Sequence, residues 1–304
     1  MKSSTESWVV ECENVGKRYK HFNLEGLDLR LPQGEILGLV GPNGAGKSTC
    51  LRLLMGFIQA DSGNVRVLGR DLPKHAVWLK ERAAFVSEDM RLFSEATIEW
   101  HMAFVKKFFS RWDDAYAKQL LHNFELNPQQ KIKELSLGQR IKATLLLALA
   151  RRPQLLVLDE PSTGLDPIAR FELTSQLFDI MLNEENSVIF SSQFTQDVER
   201  LSDGIAFMDR GNIVSHLDKE SYLDKWRRLT LCGDGPLPES KNMLDIQQYS
   251  GGYTLTHAAF NRNVVQQFEE AGFSITNAKM MTLEEIFIDQ VRLSRTHKGD
   301  AVHA

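Results

Sequence analysis

The amino-acid sequence predicts an α/β fold. Three observations support this class: continuous apolar runs alternate with segments of helical period, a glycine-rich turn joins one run to a helix, and residues 8–12 and 27–31 alternate like an antiparallel sheet. An all-helical block interrupts the alternation at about residues 90–151. A small α+β appendage with glycine and proline punctuation follows residue 215 and ends in a polar tail.

The predicted elements follow from the spacing of apolar residues. Strands are expected at residues 8–12, 27–31, 35–40, 64–68, 83–87, 155–160, 187–192, 204–214 and 253–256. Helices are expected at residues 51–58, 138–151, 167–183, 264–271 and 283–291. In the parallel part of such a sheet, polar residues that follow the strands collect at one edge and build binding sites.

The composition is that of an ordinary globular protein, with 42% hydrophobic and 25% charged residues. The formal net charge of −4 lacks the basic excess typical of nucleic-acid binding, so no nucleic-acid partner is expected. The longest apolar stretch, residues 143–150, is far shorter than the roughly 20 residues of a membrane-spanning helix, and the N-terminus lacks the apolar core of a secretory signal. We therefore expect a cytoplasmic chain with reduced cysteines.

A phosphate-binding motif lies between the strand predicted at residues 35–40 and the helix that follows. The motif G-x-x-x-x-G-K-S, with the adjacent Thr49, consists of Gly41, Pro42, Asn43, Gly44, Ala45, Gly46, Lys47 and Ser48. Its backbone N–H groups and the helix N-terminus suit phosphate oxygens. Lys47 is expected to reach the β- and γ-phosphates of ATP, and the Ser48 hydroxyl to coordinate Mg²⁺. The motif predicts the core of a P-loop NTPase; a glycine-rich turn without a ligand is the disfavoured alternative.

Two acids end the apolar strand predicted at residues 155–160. Asp159 is expected to hold Mg²⁺ directly or through water, and Glu160 to polarise the water that attacks the γ-phosphate. An apolar strand that ends in Asp-Glu is weakly specific alone. Together with the phosphate loop, it predicts ATP hydrolysis.

These motifs, with Leu-Ser-Leu-Gly-Gln-Arg at residues 135–140, resemble the ATP-binding cassette (ABC) ATPases over residues 8–215. The resemblance implies an ABC nucleotide-binding domain at residues 1–215, with a helical subdomain at about 90–151. It implies an accessory or regulatory domain with a flexible tail at residues 216–304. It also implies that Tyr19 stacks on adenine, with a plain surface position as the alternative.

The signature segment of that family is usually Leu-Ser-Gly-Gly-Gln, whereas here Leu137 replaces the first glycine. Ser136 is expected to open the helix predicted at residues 138–151, whose N–H groups and dipole suit an anion. By the resemblance, the retained Ser136, Gly138 and Gln139 bind the γ-phosphate of an ATP molecule held by the opposite subunit. Residues 162–166 match the segment that crosses the subunit interface. The resemblance therefore implies a dimer, of like or unlike subunits, with two ATP molecules between them.

Two further departures from the family pattern lie near the expected γ-phosphate. Glu88 stands where the family carries a metal-binding glutamine, so it is expected to bind Mg²⁺, or to be a solvated acid if its position is shifted by one residue. Gln193 stands where the family usually carries histidine. An amide keeps a neutral N–H donor but cannot become cationic, so hydrolysis is expected to be slow rather than absent.

The resemblance implies an ATP-hydrolysing subunit that powers a separate membrane permease and lies on the inner face of the membrane through that permease. The segments around residues 85–89 and 112–121, with the appendage, resemble subunits of bacterial ABC-2-type exporters. An aromatic run lies where the family docks a permease helix, although its helical spacing favours the core. This run consists of Trp100, Phe104, Phe108, Phe109 and Trp112.

Two other functional classes are weighed against transport. A soluble ABC ATPase of translation or DNA repair is less favoured because the chain has one phosphate loop and no sustained heptads. A regulatory subunit that closes on ATP with little turnover is left open by Glu88 and Gln193.

Overall fold

The computed structural model describes residues 7–87, 89–182 and 186–300 of the chain. The chain divides into two compact units, Met1–Ile213 and Val214–Ala304. Each unit has a hydrophobic core of its own. Every helix within the described ranges is too short or too polar to span a membrane bilayer.

The first unit combines β-strands with α-helices. Its strands are β1 (Trp8–Arg18), β2 (Asn23–Pro32), β3 (Ile36–Val40), β4 (Ser62–Val67), β5 (Arg70–Asp71), β6 (Ala83–Ser87), β7 (Leu155–Asp159), β8 (Ser187–Ser192), β9 (Gly204–Asp209) and β10 (Asn212–Asp218), which continues into the second unit. Its helices are α1 (Lys47–Leu54), α2 (Ala76–Arg82), α3 (Ile98–Lys106), α4 (Asp114–Asn123), α5 (Leu137–Leu149), α6 (Pro167–Leu182) and α7 (Thr195–Leu201).

Two sheets organise this unit. The first has the order β2-β1-β4-β5 and is antiparallel. The second has the order β10-β9-β3-β8-β7-β6, and its pairs from β9 to β6 are parallel. Strands β3, β7 and β8 are buried along their whole length, in keeping with the apolar runs at residues 36–40, 155–158 and 188–190. The predicted α/β fold with an N-terminal antiparallel region is confirmed.

The register of the parallel strands brings their carboxyl ends to one edge of the sheet. Ser87 pairs with Asp159, and Asp159 pairs with Ser191. Val40, the last residue before the phosphate loop, pairs with Ser192. The residues that follow these strands therefore lie beside the loop, as expected for a parallel sheet.

Helix α1 begins four residues earlier than predicted and ends earlier as well. It starts at Lys47 because Gly46, with a φ of 107°, turns the chain directly into the first helical residue. It stops at Leu54 because Gly56 adopts the left-handed conformation, with a φ of 61°, which ends a helix without a Cβ penalty. The residues after Leu54 are mostly apolar, so the sequence pattern placed the helix too late, at residues 51–58.

The single strand predicted at residues 204–214 is in fact two strands, β9 and β10. Arg210 and Gly211 separate them with positive φ angles of 46° and 80°. The N–H of Gly211 donates to the carbonyl of Ala45 over 2.8 Å. This turn therefore supports the phosphate loop, which the sequence pattern did not suggest.

The aromatic run of the helical block lies at the surface, so the prediction that favoured a core position is wrong for most of it. Trp100 is 45% exposed, Phe104 38% and Phe108 65%, while Phe109 and Trp112 are half-buried. The buried residues of α3 are instead Ile98 and His101. The helical period was read correctly, but the aromatic side chains occupy its outer face.

The second unit is an antiparallel sheet with helices, in agreement with the predicted α+β character. Its strand order is β12-β13-β11-β14. Its elements are α8 (Lys219–Lys225), β11 (Arg227–Cys232), β12 (Met243–Tyr249), β13 (Gly252–His257), α9 (Arg262–Glu270), β14 (Ser274–Met280) and α10 (Leu283–Asp300). The sequence pattern missed β14 because nearly all its residues are exposed. Helix α10 runs past the predicted end at residue 291; residues 301–304 lie outside the described residues, so the flexible tail stays a prediction.

Candidate functional site

The phosphate loop joins β3 to α1 and depends on glycine at positions where a side chain does not fit. A Cβ atom on Gly41 would lie 2.3 Å from the carbonyl oxygen of Met208. Gly44 and Gly46 have φ angles of 80° and 107°, which L side chains rarely adopt. The loop therefore curls closely enough to direct its N–H groups at an anion before α1 begins at Lys47.

A cavity of about 420 Å³ lies over this loop. Its wall consists of His21, Phe22, Asn43, Gly44, Ala45, Gly46, Lys47, Ser48, Thr49 and Glu160. Tyr19 is 46% exposed and is not part of that wall, although its N–H donates to the carbonyl of Phe22 over 2.8 Å. Phe22 is thus the aromatic residue at the cavity, and adenine stacking by Tyr19 stays a prediction.

Lys47 is buried and is held in place by three acceptors. Its Nζ atom donates to the carbonyls of Gly41 and Pro42 over 2.7 and 3.2 Å. The same atom forms an ion pair with Glu160 Oε1 at 2.9 Å, and only 4% of the lysine side chain is exposed. The two groups predicted for phosphate binding and water activation therefore neutralise each other in this state.

Asp159 accepts two hydroxyl hydrogen bonds on one oxygen atom. Ser48 Oγ donates to Asp159 Oδ1 over 3.0 Å, and Ser191 Oγ donates to it over 2.7 Å. The Oγ atom of Ser191 also accepts the backbone N–H of Glu160 over 2.9 Å. Ser191 was missed by the sequence reasoning; the signal was its place at the end of a buried strand that pairs with Asp159.

The donor set of Ser48 and Asp159 fits Mg²⁺. Both supply oxygen, the ligand that this hard cation prefers, and the two oxygens are 3.0 Å apart. Mg²⁺ usually takes one or two protein ligands and completes its shell with phosphate oxygens and water. Within the described residues, no group of three or more His, Cys, Asp or Glu side chains could hold a metal.

Cys50 lies in the same helix as Lys47, and its side chain is fully buried. Burial raises the pKa of its thiol to about 12, and the charge of Asp159 adds to the shift. A thiolate is the form that binds metal ions, so a buried neutral thiol is chemically inert here.

Glu160 has a constrained backbone and a second side-chain partner. Its φ angle is 49°, in the left-handed region that costs a non-glycine residue about 1–3 kcal/mol. Thr163 Oγ1 donates to Glu160 Oε2 over 2.9 Å. Such strain persists where surrounding contacts hold it, which is common at active sites. Thr163 was not among the predicted site residues.

The signature segment begins α5 with a capping box. The backbone N–H of Gln139 donates to Ser136 Oγ over 3.2 Å, and the N–H of Ser136 donates to Gln139 Oε1 over 3.0 Å. The expectation that Ser136 opens a helix is confirmed. Gly138 lies in the first turn of this helix, and phosphate binding by these residues across a dimer stays a prediction.

Gln193 follows β8 directly and is exposed beside the phosphate loop strand. Glu88, expected at the end of β6, lies outside the described residues.

A few residues after Gln193, Asp197 accepts a hydrogen bond from Ser162 Oγ over 3.0 Å and lies 3.6 Å from Arg170. Burial raises the pKa of Asp197, and Arg170 and Ser162 partly offset that shift. This network joins the segment after Glu160 to the helix after Gln193, and the sequence pattern did not reveal it.

Comparisons with known proteins place these features among transporter ATPases. The family model described as "ABC transporter" matches residues 24–163. The ABC transporter ATP-binding protein YtrB of Bacillus subtilis is 26% identical over 87% of this chain and 91% of its own length. The Nod factor export ATP-binding protein I of Rhizobium etli is 32% identical over 71% of this chain and 70% of its own. Among solved structures, this chain is similar to cbiO1 of Clostridium perfringens, which is part of the ABC transporter complex cbiONQ. The TM-score is 0.63 at 21% identity, and the match covers 71% of this chain and 90% of the cbiO1 chain.

Proposed function

Because the chain belongs to the ATP-binding subunits of ABC transporters, we propose that it binds ATP with Mg²⁺, hydrolyses it slowly, and powers a separate permease that exports a substrate. The observation that carries this proposal is the assembly of Lys47, Ser48, Asp159 and Glu160 around one loop. We assign the nucleotide chemistry to residues 1–215 and a regulatory or dimerising role to residues 216–304.

The geometry supports the following sequence of events. ATP phosphates in the loop would attract Lys47 away from Glu160, because a triphosphate carries more negative charge than one carboxylate. Glu160 would stay oriented through its Thr163 hydrogen bond and accept a proton from the attacking water. Ser48 and Asp159 would hold Mg²⁺, which would neutralise phosphate charge.

Gln193 is the residue on which we base slow turnover. Its exposed side chain extends from the end of β8, next to the strand that leads into the loop. An amide can hydrogen-bond the γ-phosphate but adds no positive charge as the transition state develops. Glu88 beside a triphosphate would add negative charge, which acts in the same direction.

The aromatic surface of α3 supports a permease as partner. It is formed by Trp100 and Phe104 with the flanking Phe93 and Phe108, all of which are exposed. Trp100 stacks on Phe104 at a centroid distance of 5.1 Å, and the other ring pairs meet edge to face at 5.1–6.4 Å. Contiguous exposed aromatic residues are typical of protein–protein interfaces rather than of free surfaces. The relative named for Nod factor export supports an exporter, and such a subunit would lie on the cytoplasmic face of the membrane through its permease.

Two measurements on the native full-length chain test this function. Glu160→Gln should lower steady-state ATP hydrolysis about a hundredfold or more while ATP still binds, since only the proton acceptor is removed. Purification from detergent-solubilised membranes should recover a multi-span protein, and Trp100→Ala with Phe104→Ala should weaken that recovery. Hydrolysis unaffected by Glu160→Gln would refute the mechanism, and co-purification of ribosomes or DNA instead of a membrane protein would refute transport.

A further inference from the structure

Leu137, which replaces the first glycine of the usual signature, packs on the segment at residues 162–166. A Cβ atom placed on Gly164 would lie 3.1 Å from Leu137 Cδ2, so a methyl group of the leucine covers this glycine. A Cβ atom on Gly138 would lie 3.7 Å from Leu165 Cδ2. The N-terminus of α5 and this segment therefore meet through two neighbouring leucine–glycine contacts.

The covered segment also holds the carboxylate of Glu160. Thr163, the residue before Gly164, donates its hydroxyl to Glu160 Oε2 over 2.9 Å. Leu137, Thr163 and Glu160 line one cavity of about 550 Å³. Gly164 has a φ of 78°, which glycine adopts without strain and other residues rarely adopt, so the turn after Thr163 favours glycine at this position.

We propose that Leu137 is a positioning residue for Glu160. Its side chain holds Gly164 in place, and this fixes the position of the neighbouring Thr163 hydroxyl. The Thr163 hydroxyl in turn orients the Glu160 carboxylate, which accepts the proton of the attacking water. A glycine at position 137 has no side chain to make this contact, so the substitution adds a link between the signature helix and the catalytic carboxylate of the same subunit. The inference rests on the proposed hydrolysis at Glu160.

Turnover of the full-length protein, with any co-purifying permease retained, tests the inference. Leu137→Ala and Thr163→Val should each lower kcat roughly tenfold and leave the KM for ATP within about twofold, because misplaced catalytic groups affect the chemical step. The double variant should be no slower than the slower single variant, since both changes break one chain of contacts. Leu137→Met should retain the rate. Ile141→Ala, a truncation on the next turn of α5 in the same cavity wall, is the matched control and should also retain it.

Stability measurements give a second readout that needs no turnover. Gly164→Ala should destabilise the protein to urea less in the Leu137→Ala background than in the parent, because the methyl contact at 3.1 Å is then gone. If Gly164→Ala and Leu137→Ala lower the stability additively, the proposed contact between the two residues is overturned. The link to Glu160 would be overturned if Leu137→Ala left the kcat per folded molecule unchanged. It would also be overturned if the kcat of the double variant fell by the product of the losses in Leu137→Ala and Thr163→Val. Failure of the proposed hydrolysis is seen separately, as full activity of Glu160→Gln.

Discussion

Ser191 contacts both acidic residues at the end of β7 and is fully buried. Its hydroxyl donates to Asp159 and accepts from the backbone of Glu160. The side chain therefore orients the expected Mg²⁺ ligand and the strained backbone of Glu160 together. A residue that acts through another in this way is expected to change metal dependence as well as stability.

We expect Ser191→Ala to lower the free energy of unfolding by about 1–3 kcal/mol, because the N–H of Glu160 loses its buried acceptor. It should also raise the Mg²⁺ concentration for half-maximal ATP turnover by roughly tenfold or more, the usual effect of removing an outer-shell partner. Urea unfolding and a Mg²⁺ titration measure the two effects. Ser187→Ala is the matched control: this serine is equally buried at the other end of β8, where it accepts the N–H of Gly34. A control that shifts the Mg²⁺ titration as strongly would contradict the role of Ser191.

Gln193→His tests the reason for slow turnover at the same scale. An imidazole has similar reach to the amide and can add positive charge near the γ-phosphate. We expect kcat for ATP to rise or to stay unchanged, as measured by phosphate release. A large decrease would show that the amide itself makes a specific contact, and it would remove the basis for slow turnover proposed above.

At the scale of elements, α10 is attached to the second sheet by a buried charged network. Asp289 is only 4% exposed, accepts from Thr256 Oγ1 over 3.0 Å and lies 3.7 Å from Arg228. Burial raises the pKa of Asp289, while Thr256 and Arg228 oppose the rise. The carboxylate therefore depends on its neighbours to stay charged inside the unit.

Arg228→Met should destabilise the protein more at pH 7.5 than at pH 5. The pKa of Asp289 in the folded protein is raised above its value in the unfolded chain. At a pH above the folded pKa, Asp289 is charged and its burial lowers the free energy of unfolding; this penalty decreases as the pH falls through that pKa. Removal of Arg228 also breaks its hydrogen bond to Asp245 Oδ2 over 3.1 Å, and it enlarges the penalty at Asp289 only while Asp289 is charged. Urea midpoints at the two pH values measure the difference. Arg292→Met removes a 68%-exposed arginine at 3.7 Å from Asp289 and should have little effect, because solvent screens that pair. Equal losses for Arg228→Met at both pH values would contradict this account.

At the scale of the whole molecule, the signature segment predicts a second subunit. The capped N-terminus of α5, with Ser136 and Gly138, suits the γ-phosphate of ATP bound to a second subunit. Each subunit would then complete the site of the other. Two-fold association of this kind is the commonest form of protein oligomer.

Light scattering tests ATP-dependent association directly. We expect the Glu160→Gln variant to have the mass of two chains with ATP and Mg²⁺, because bound ATP persists when hydrolysis is blocked. The same variant with ADP should have the mass of one chain. Glu160→Gln combined with Lys47→Ala, which removes the phosphate contact of the lysine, should stay at one chain with ATP. A single-chain mass for Glu160→Gln in ATP would count against the dimer.

Local sequence patterns were sufficient to locate the strands that contain a short apolar run. The strands at Ala83–Ser87 and Ser187–Ser192 lie where the sequence placed them, because each contains a short apolar run, at residues 83–86 and 188–190, of the kind expected for a strand of a covered parallel sheet. In the sheet of the second unit, β11, β12 and β14 were missed; β14 is almost wholly exposed and shows no such run. The aromatic run was assigned to the wrong environment because helical spacing defines a face but does not say what covers it.

The sequence by itself determined the α/β class, the phosphate loop, the acids at the end of β7 and the serine that caps α5, because each depends on residues close together in the chain. Only the tertiary structure decided the pairing of Lys47 with Glu160, the two hydrogen bonds of Ser191, and the contact of Leu137 with Gly164. These contacts join residues far apart in sequence. They depend on the register of β7 against β8 and on the packing of α5 against the segment after β7, which no local spacing of residues specifies.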